Sequence, residues 1–133
     1  MSTFKTFSAA GLAAILGASA VQHIRNPESF YFVVPWSLAT DKGGRFGVMT
    51  RRDWVRYSAV VEAAAAVGLM VPATRRLTAT ATAGMFAAFT VGHVSALAHS
   101  LGPDGKPAQK RFNIVRLPLQ LPLVMWAWSI RRP

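Results

Sequence analysis

Glu62, His93, Arg116 and Gln120 sit inside four stretches apolar enough to cross a membrane, and this conflict limits the possible folds more than any other feature of the chain. Charge is costly in lipid, so such side chains face a protein interior, pair there, or mark a functional path. The stretches run approximately over residues 4–23, 54–71, 77–98 and 112–130. Each approaches the ~20 residues that span about 30 Å of hydrocarbon, the second being the shortest. Of the 133 residues, 52% are hydrophobic and 15% charged, too few charges for the surface of an ordinary soluble domain. The expected fold is all-α, an integral membrane antiparallel four-helix bundle with one domain over residues 1–133.

Punctuation fixes the helix limits. Pro27 follows the first stretch, Pro72 ends the second, and Gly102-Pro103-Asp104-Gly105 separates the third from the fourth. Four crossings put both termini and the Pro72–Arg76 turn on one face, and the first and third loops on the other, the loop face. In the first loop, Phe30 to Trp36 is too short to span and too apolar to stand in water. It is expected to lie at the interface or to dip back as a re-entrant lid. Ala39 to Arg52, with Lys42, Gly43, Gly44 and Arg45, is expected to be solvated and mobile. Near the N-terminus, Lys5, an apolar run and Ala18-Ser19-Ala20 imitate a secretory signal, but the run is mostly Ala and Gly and is read as a retained helix.

Small residues recur every four positions in the first helix (Ala10, Ala14, Ala18) and the third (Thr80, Gly84, Ala88, Gly92, Ala96). Such ridges let helices approach closely in lipid, although composition alone also produces them in Ala-rich segments. In the fourth stretch, Pro118 and Pro122 each remove an amide donor, which predicts a kink. There Asn113, Arg116 and Gln120 form one polar stripe.

Depth links the polar residues. At about 1.5 Å per helical residue, Arg116 lies about 6 Å from the loop face, His93 about 8 Å, and Glu62 and Gln120 about 12 Å. His23, His99, Tyr57 and Trp54 fall at the rim. A polar cavity lidded by Phe30 to Trp36 accounts for this, with Glu62, His93, Arg116, Gln120, His23, Tyr57 and Trp36 as candidate ligand-binding residues. No catalytic residue is assigned. Each member has a plainer reading: Arg116 snorkels to headgroups, His23 and His99 are solvated, and Glu62 forms a structural ion pair with Arg116 or His93. Trp126 and Trp128 read as an interfacial belt.

A net charge of +10 accompanies these spans. Its basic residues lie mostly between or beside them, which suits contact with acidic lipid headgroups rather than nucleic acid. Without cysteine the chain has no thiol catalysis, disulfide or cysteine-held cluster, and it shows no metal motif. Five of the 15 basic residues are nearer the terminal face, and the remaining ten put the loop face in the cytoplasm.

Gly17 with His23 and Pro27, Val33-Val34-Pro35, Ser58 to Glu62, Gly68 to Arg76, and Arg116-Leu117-Pro118-Leu119-Gln120 before a Trp-rich end together resemble the DoxX family of small bacterial membrane proteins. That resemblance covers nearly the whole chain, with a longer Ala39–Asp53 stretch as its departure. It implies a multi-pass bacterial inner-membrane protein with its termini in the cytoplasm. Some members are similar to the membrane subunit of a thiosulfate:quinone oxidoreductase, and others are tied to detoxification complexes.

Two functions are open. The chain is an accessory, non-catalytic subunit docked on other membrane subunits of a redox complex, its polar cluster being internal glue; its small size favours this. Alternatively the cluster binds a quinone, whose carbonyls need the donors that His, Arg and Gln supply. A haem held by His23 with His93 or His99 has no supporting motif and is disfavoured.

Overall fold

Proline and hydroxyl side chains set the helix limits in the computed structural model, which describes residues 2–132. Helix α1 (Thr3–Arg25) begins where the Ser2 hydroxyl accepts the Lys5 amide, and α2 (Arg51–Met70) where Thr50 accepts that of Asp53. Val71 is extended, as the residue before a proline is biased to be, and Pro72 opens α3 (Pro72–Ser100). Pro107 opens α4 (Pro107–Arg116). At Pro118 the α-helical bonding is interrupted: a 3-10 turn, Leu117–Leu119, separates α4 from α5 (Gln120–Ile130), with the backbone right-handed on both sides of it. The elements among the described residues are all helical, with no strand and one isolated bridge between Ala39 and Met49.

Helix α1 packs along α2, α2 along α3, and α3 along α4 and α5, while α5 returns to α1. Both chain ends come together: Lys5 Nζ donates to the Arg132 carbonyl, and Trp126 Nε1 donates to Ser8 Oγ at 2.8 Å. Trp126 is therefore an inward anchor rather than part of a belt, and Gly11 gives its ring room. At this end lies the main core: Leu12 and Leu16 of α1, Leu69 of α2, Phe86 of α3 and Ile130 of α5. Arg75 closes the one-residue turn between α2 and α3. It is 3% exposed, and it donates to the carbonyls of Leu69 at 2.7 Å and Met70 at 3.3 Å and to Thr6 Oγ1 at 3.4 Å.

The opposite end has its own smaller core of Val34, Ala39 and Val55, with Phe30, Tyr31 and Trp54 packed on it. The Ala39–Arg52 segment is mostly exposed, as expected, yet it has a defined fold. Ala39 is fully buried, Trp54 Nε1 donates to the Leu38 carbonyl at 2.7 Å, and Asp41 receives both the backbone and side-chain N–H of Arg51 at 2.9 Å. Those bonds, the side-chain one foremost, hold the Asp41 carboxyl below its ordinary range. Gly43 takes the left-handed φ of 64° that this tight cap requires.

The small-residue ridges are mostly not contact surfaces. Ala14 and Ala18 of α1 are exposed, whereas Ala9, Ala13 and Ala20 are buried, and nothing lies near the Gly84 Cα face. Only Gly92 and Ala96 of the α3 ridge are buried, and Gly92 faces the Val33 carbonyl of the first loop rather than another helix.

Two helices, α1 and α3, are long and apolar enough to cross a membrane. Helix α2 loses that character to Arg51, Arg52, Asp53 and Arg56 in its first turns, and the fourth stretch is divided into helices of 10 and 11 residues.

Candidate functional site

Between the two cores lies a cavity of about 610 Å³. Its walls come from all the helices. Helix α1 presents Ser19 and His23 one turn apart, and α2 presents Glu62, which shares a buried face with Val55 and Ala59. Helix α3 presents Phe86 and His93. The break at Pro118 leaves Arg116 as the last residue of α4 and Gln120 as the first of α5, both facing the cavity. Phe30, Phe32, Val33, Val34 and Pro35 close it from the first loop, in the lid position expected for that segment. The remaining wall is largely apolar: Leu16, Val61, Phe89 and Leu123 among others.

Glu62 is 3% exposed, and its partners differ from those the sequence suggested. Its Oε1 accepts the Ser19 hydroxyl at 3.2 Å, and Oε2 lies 3.4 Å from His23 Nδ1; Arg116 and His93 form no bond with it. His23 Nδ1 is also 2.6 Å from the Ser19 carbonyl. A carbonyl only accepts, so Nδ1 carries the proton, and Nε2 is the acceptor of the neutral ring. The ring stacks on Phe30 at 3.9 Å between centroids. Far from being solvated at the rim, His23 is buried and joins the lid to Glu62.

On the opposite wall, Arg116 Nη1 donates to Gln120 Oε1 at 2.8 Å, and Gln120 Nε2 donates to the Phe86 carbonyl at 2.9 Å. The amide is thereby fixed with both ends used. Among the described residues, no carboxylate lies within ion-pair distance of Arg116. His93 Nδ1 is buried with no hydrogen-bond partner, as is Asn113 Oδ1, one turn before Arg116 on α4. Asn113 Nδ2 donates to the Ala96 carbonyl at 3.2 Å.

Two further candidates separate. Tyr57 lines the same cavity, at an outward-facing position that is 59% exposed. Trp36 does not line it: its ring lies 4.7 Å from His99, with Lys42 Nζ 4.5 Å from its centroid, on a second, more open cleft. Residues 36–38 form a separate 3-10 turn after Pro35, which carries the indole away from the lid. Ser19 was the residue missed, and its spacing of four from His23 on one helix was the available signal.

The chemistry on hand is a carboxylate–imidazole contact on one wall and a cation with an unpartnered imidazole nitrogen on the other. These polar groups share the space with apolar walls.

No curated protein and no solved structure matches the chain. The DoxX resemblance is not upheld, because the family whose model matches is a different one. Proline-ended spans with one inward Glu, Arg and Gln are what any small helical chain with a polar interior needs, so their order was not specific to DoxX. The chain belongs to the family described as Domain of unknown function (DUF8561), whose model matches residues 12–131.

Proposed function

We propose that this chain is a multi-pass membrane protein that crosses four times, with α4 and α5 together making the fourth crossing, and that its cavity binds an amphipathic molecule with acceptor oxygens in its headgroup. Quinones are one class with that chemistry, and a redox complex in a cytoplasmic membrane is the corresponding setting. The observation that carries the reading is the cavity itself, in which Glu62, His93, Arg116 and Gln120 share one space between apolar walls. Support for the membrane comes from the exterior: Phe7, Val67, Leu77, Val91 and Leu121 are each more than 60% exposed, a density of bare apolar surface that suits lipid rather than water. Arg25, Arg52, Arg56, Lys106, Lys110 and Arg111 flank the lidded end, where acidic headgroups would meet them.

With four crossings, both termini lie on one side of the membrane. Reporter fusions to each end test this, and signals from opposite sides would eliminate the four-crossing reading.

A second reading, an accessory subunit with no ligand of its own, is favoured by the side chains that tie helices together: Asn113 and Gln120 both bond to α3 carbonyls. Glu62→Gln separates the two. The amide can turn its oxygen toward the His23 Nδ1–H and its NH2 toward the Ser19 hydroxyl, which also accepts, so stability is expected to change by no more than about 1 kcal/mol, while the titrating proton is lost. For a ligand site, binding of decylubiquinone to the purified chain, or quinone-linked electron transfer in its membranes, falls with protein level unchanged. Undiminished binding and transfer would leave the accessory-subunit reading in front.

A further inference from the structure

The cavity is not sealed on all sides. Tyr57 and Val61 of α2 and Val91 of α3 line it and are also exposed on the exterior, at 59%, 37% and 62%. The α2–α3 pair is held closest near its turn, where Gly68 admits the Thr78 side chain. Toward the lidded end these three residues therefore border a lateral window between cavity and surroundings. An apolar chain leaving through it would lie against apolar side chains throughout.

Charge chooses the head. Arg116 lines the cavity and makes a single hydrogen bond, to a neutral amide, so most of its donors are uncommitted. The cavity's one carboxylate, Glu62, is held on the opposite wall by Ser19 and His23. His93, also lining the space, has a buried ring nitrogen without a partner. A half-buried guanidinium without a carboxylate is stabilised most by an anion that comes from outside the chain.

Building on the cavity reading above, we propose that the ligand is an acidic amphiphile, its phosphate or carboxylate head held by Arg116 and His93 and its chain leaving through the Tyr57–Val61–Val91 window. The full chain, purified in a mild non-ionic detergent, is titrated with hexadecyl phosphate, hexadecanol, decylubiquinone and inorganic phosphate, with native mass spectrometry as readout. Hexadecyl phosphate is expected to bind at least about tenfold more tightly than hexadecanol, since hydrogen bonds to charged groups carry that much. In Arg116→Gln that preference should fall to near one. Inorganic phosphate alone should not compete at matched concentration. Val91→Trp, at an exposed position, should weaken hexadecyl phosphate by closing the window. Equal affinity for the alcohol, the quinone and the phosphate amphiphile would overturn the anionic assignment and leave the cavity reading standing. Binding of none of the amphiphiles would overturn both. Full competition by inorganic phosphate would show a free-anion site and overturn the amphiphile. A preference that survives in Arg116→Gln would overturn the role of Arg116. The headgroup comparison needs only the wild-type chain, so it decides even if a variant does not fold.

Discussion

Arg75→Ala is expected to destabilise the protein by about 3 kcal/mol or more, because it uncaps the end of one helix while loosening two others. Helix α2 stops at Met70 before a single-residue turn, so its last carbonyls have no room for a conventional cap. The Arg75 guanidinium reaches back from the first turn of α3 to the Leu69 and Met70 carbonyls and extends to Thr6 of α1. Alanine leaves the Leu69 carbonyl, on a residue with no exposure, without that donor. Arg75→Lys keeps the charge but not the planar fork, and should recover only part of the loss. Unfolding in a mixed-detergent titration measures the difference. A change below about 1 kcal/mol would mean that the carbonyls find other donors easily, and would demote Arg75 from clasp to passenger.

Gly92→Ala should be nearly as damaging, and its effect should appear at a distance from the substitution. A methyl group there would fall on the Val33 carbonyl oxygen, which is backbone in the 3-10 turn and cannot rotate aside. Either α3 or the lid must move, at a cost of about 1–3 kcal/mol. The expected sign is faster trypsin cleavage at Lys42 and Arg45, in the segment that packs behind the lid, together with lower stability. Gly84→Ala is the matched control. Nothing surrounds Gly84, so alanine there should be neutral or slightly stabilising. Equal behaviour of the two variants would contradict the close contact at Gly92.

The different fates of Gly84 and Gly92 show what the sequence could and could not convey. Prolines act locally, so the helix limit at Pro72 and the distortion near Pro118 follow directly from lost donors and fixed φ, whereas the start of α4 at Pro107, ahead of the apolar stretch from residue 112, does not show in hydropathy. The inward direction of Glu62 follows from the same kind of reasoning, since burying a carboxylate leaves few alternatives. Its partner does not follow. Ser19 and His23 meet Glu62 only through the rotation of α1 against α2, and spacing along a chain carries no information about that angle. Periodicity of four likewise identifies a face without naming its neighbour, which is why Ala14 and Ala18 look outward while Gly92 meets a loop. The glycines and basic residues between Ala39 and Arg52 signal a solvated segment without signalling its fold. Its order comes from one buried alanine, one indole bond and one carboxylate, none of which differs in composition from a floppy loop.

The latch between Ser8 and Trp126 has a consequence for how the molecule is made. Ser8 and Trp126 are 118 residues apart in the sequence, so α1 must wait for α5 before its neighbourhood is complete. Until then the wall bearing Gln120 and Leu123 does not exist, and the cavity is an open trough between α1, α2 and α3. A chain cut after Leu117 therefore is not a weakened version of the protein: it has the carboxylate wall and the lid, but it lacks Gln120 and Leu123 opposite them.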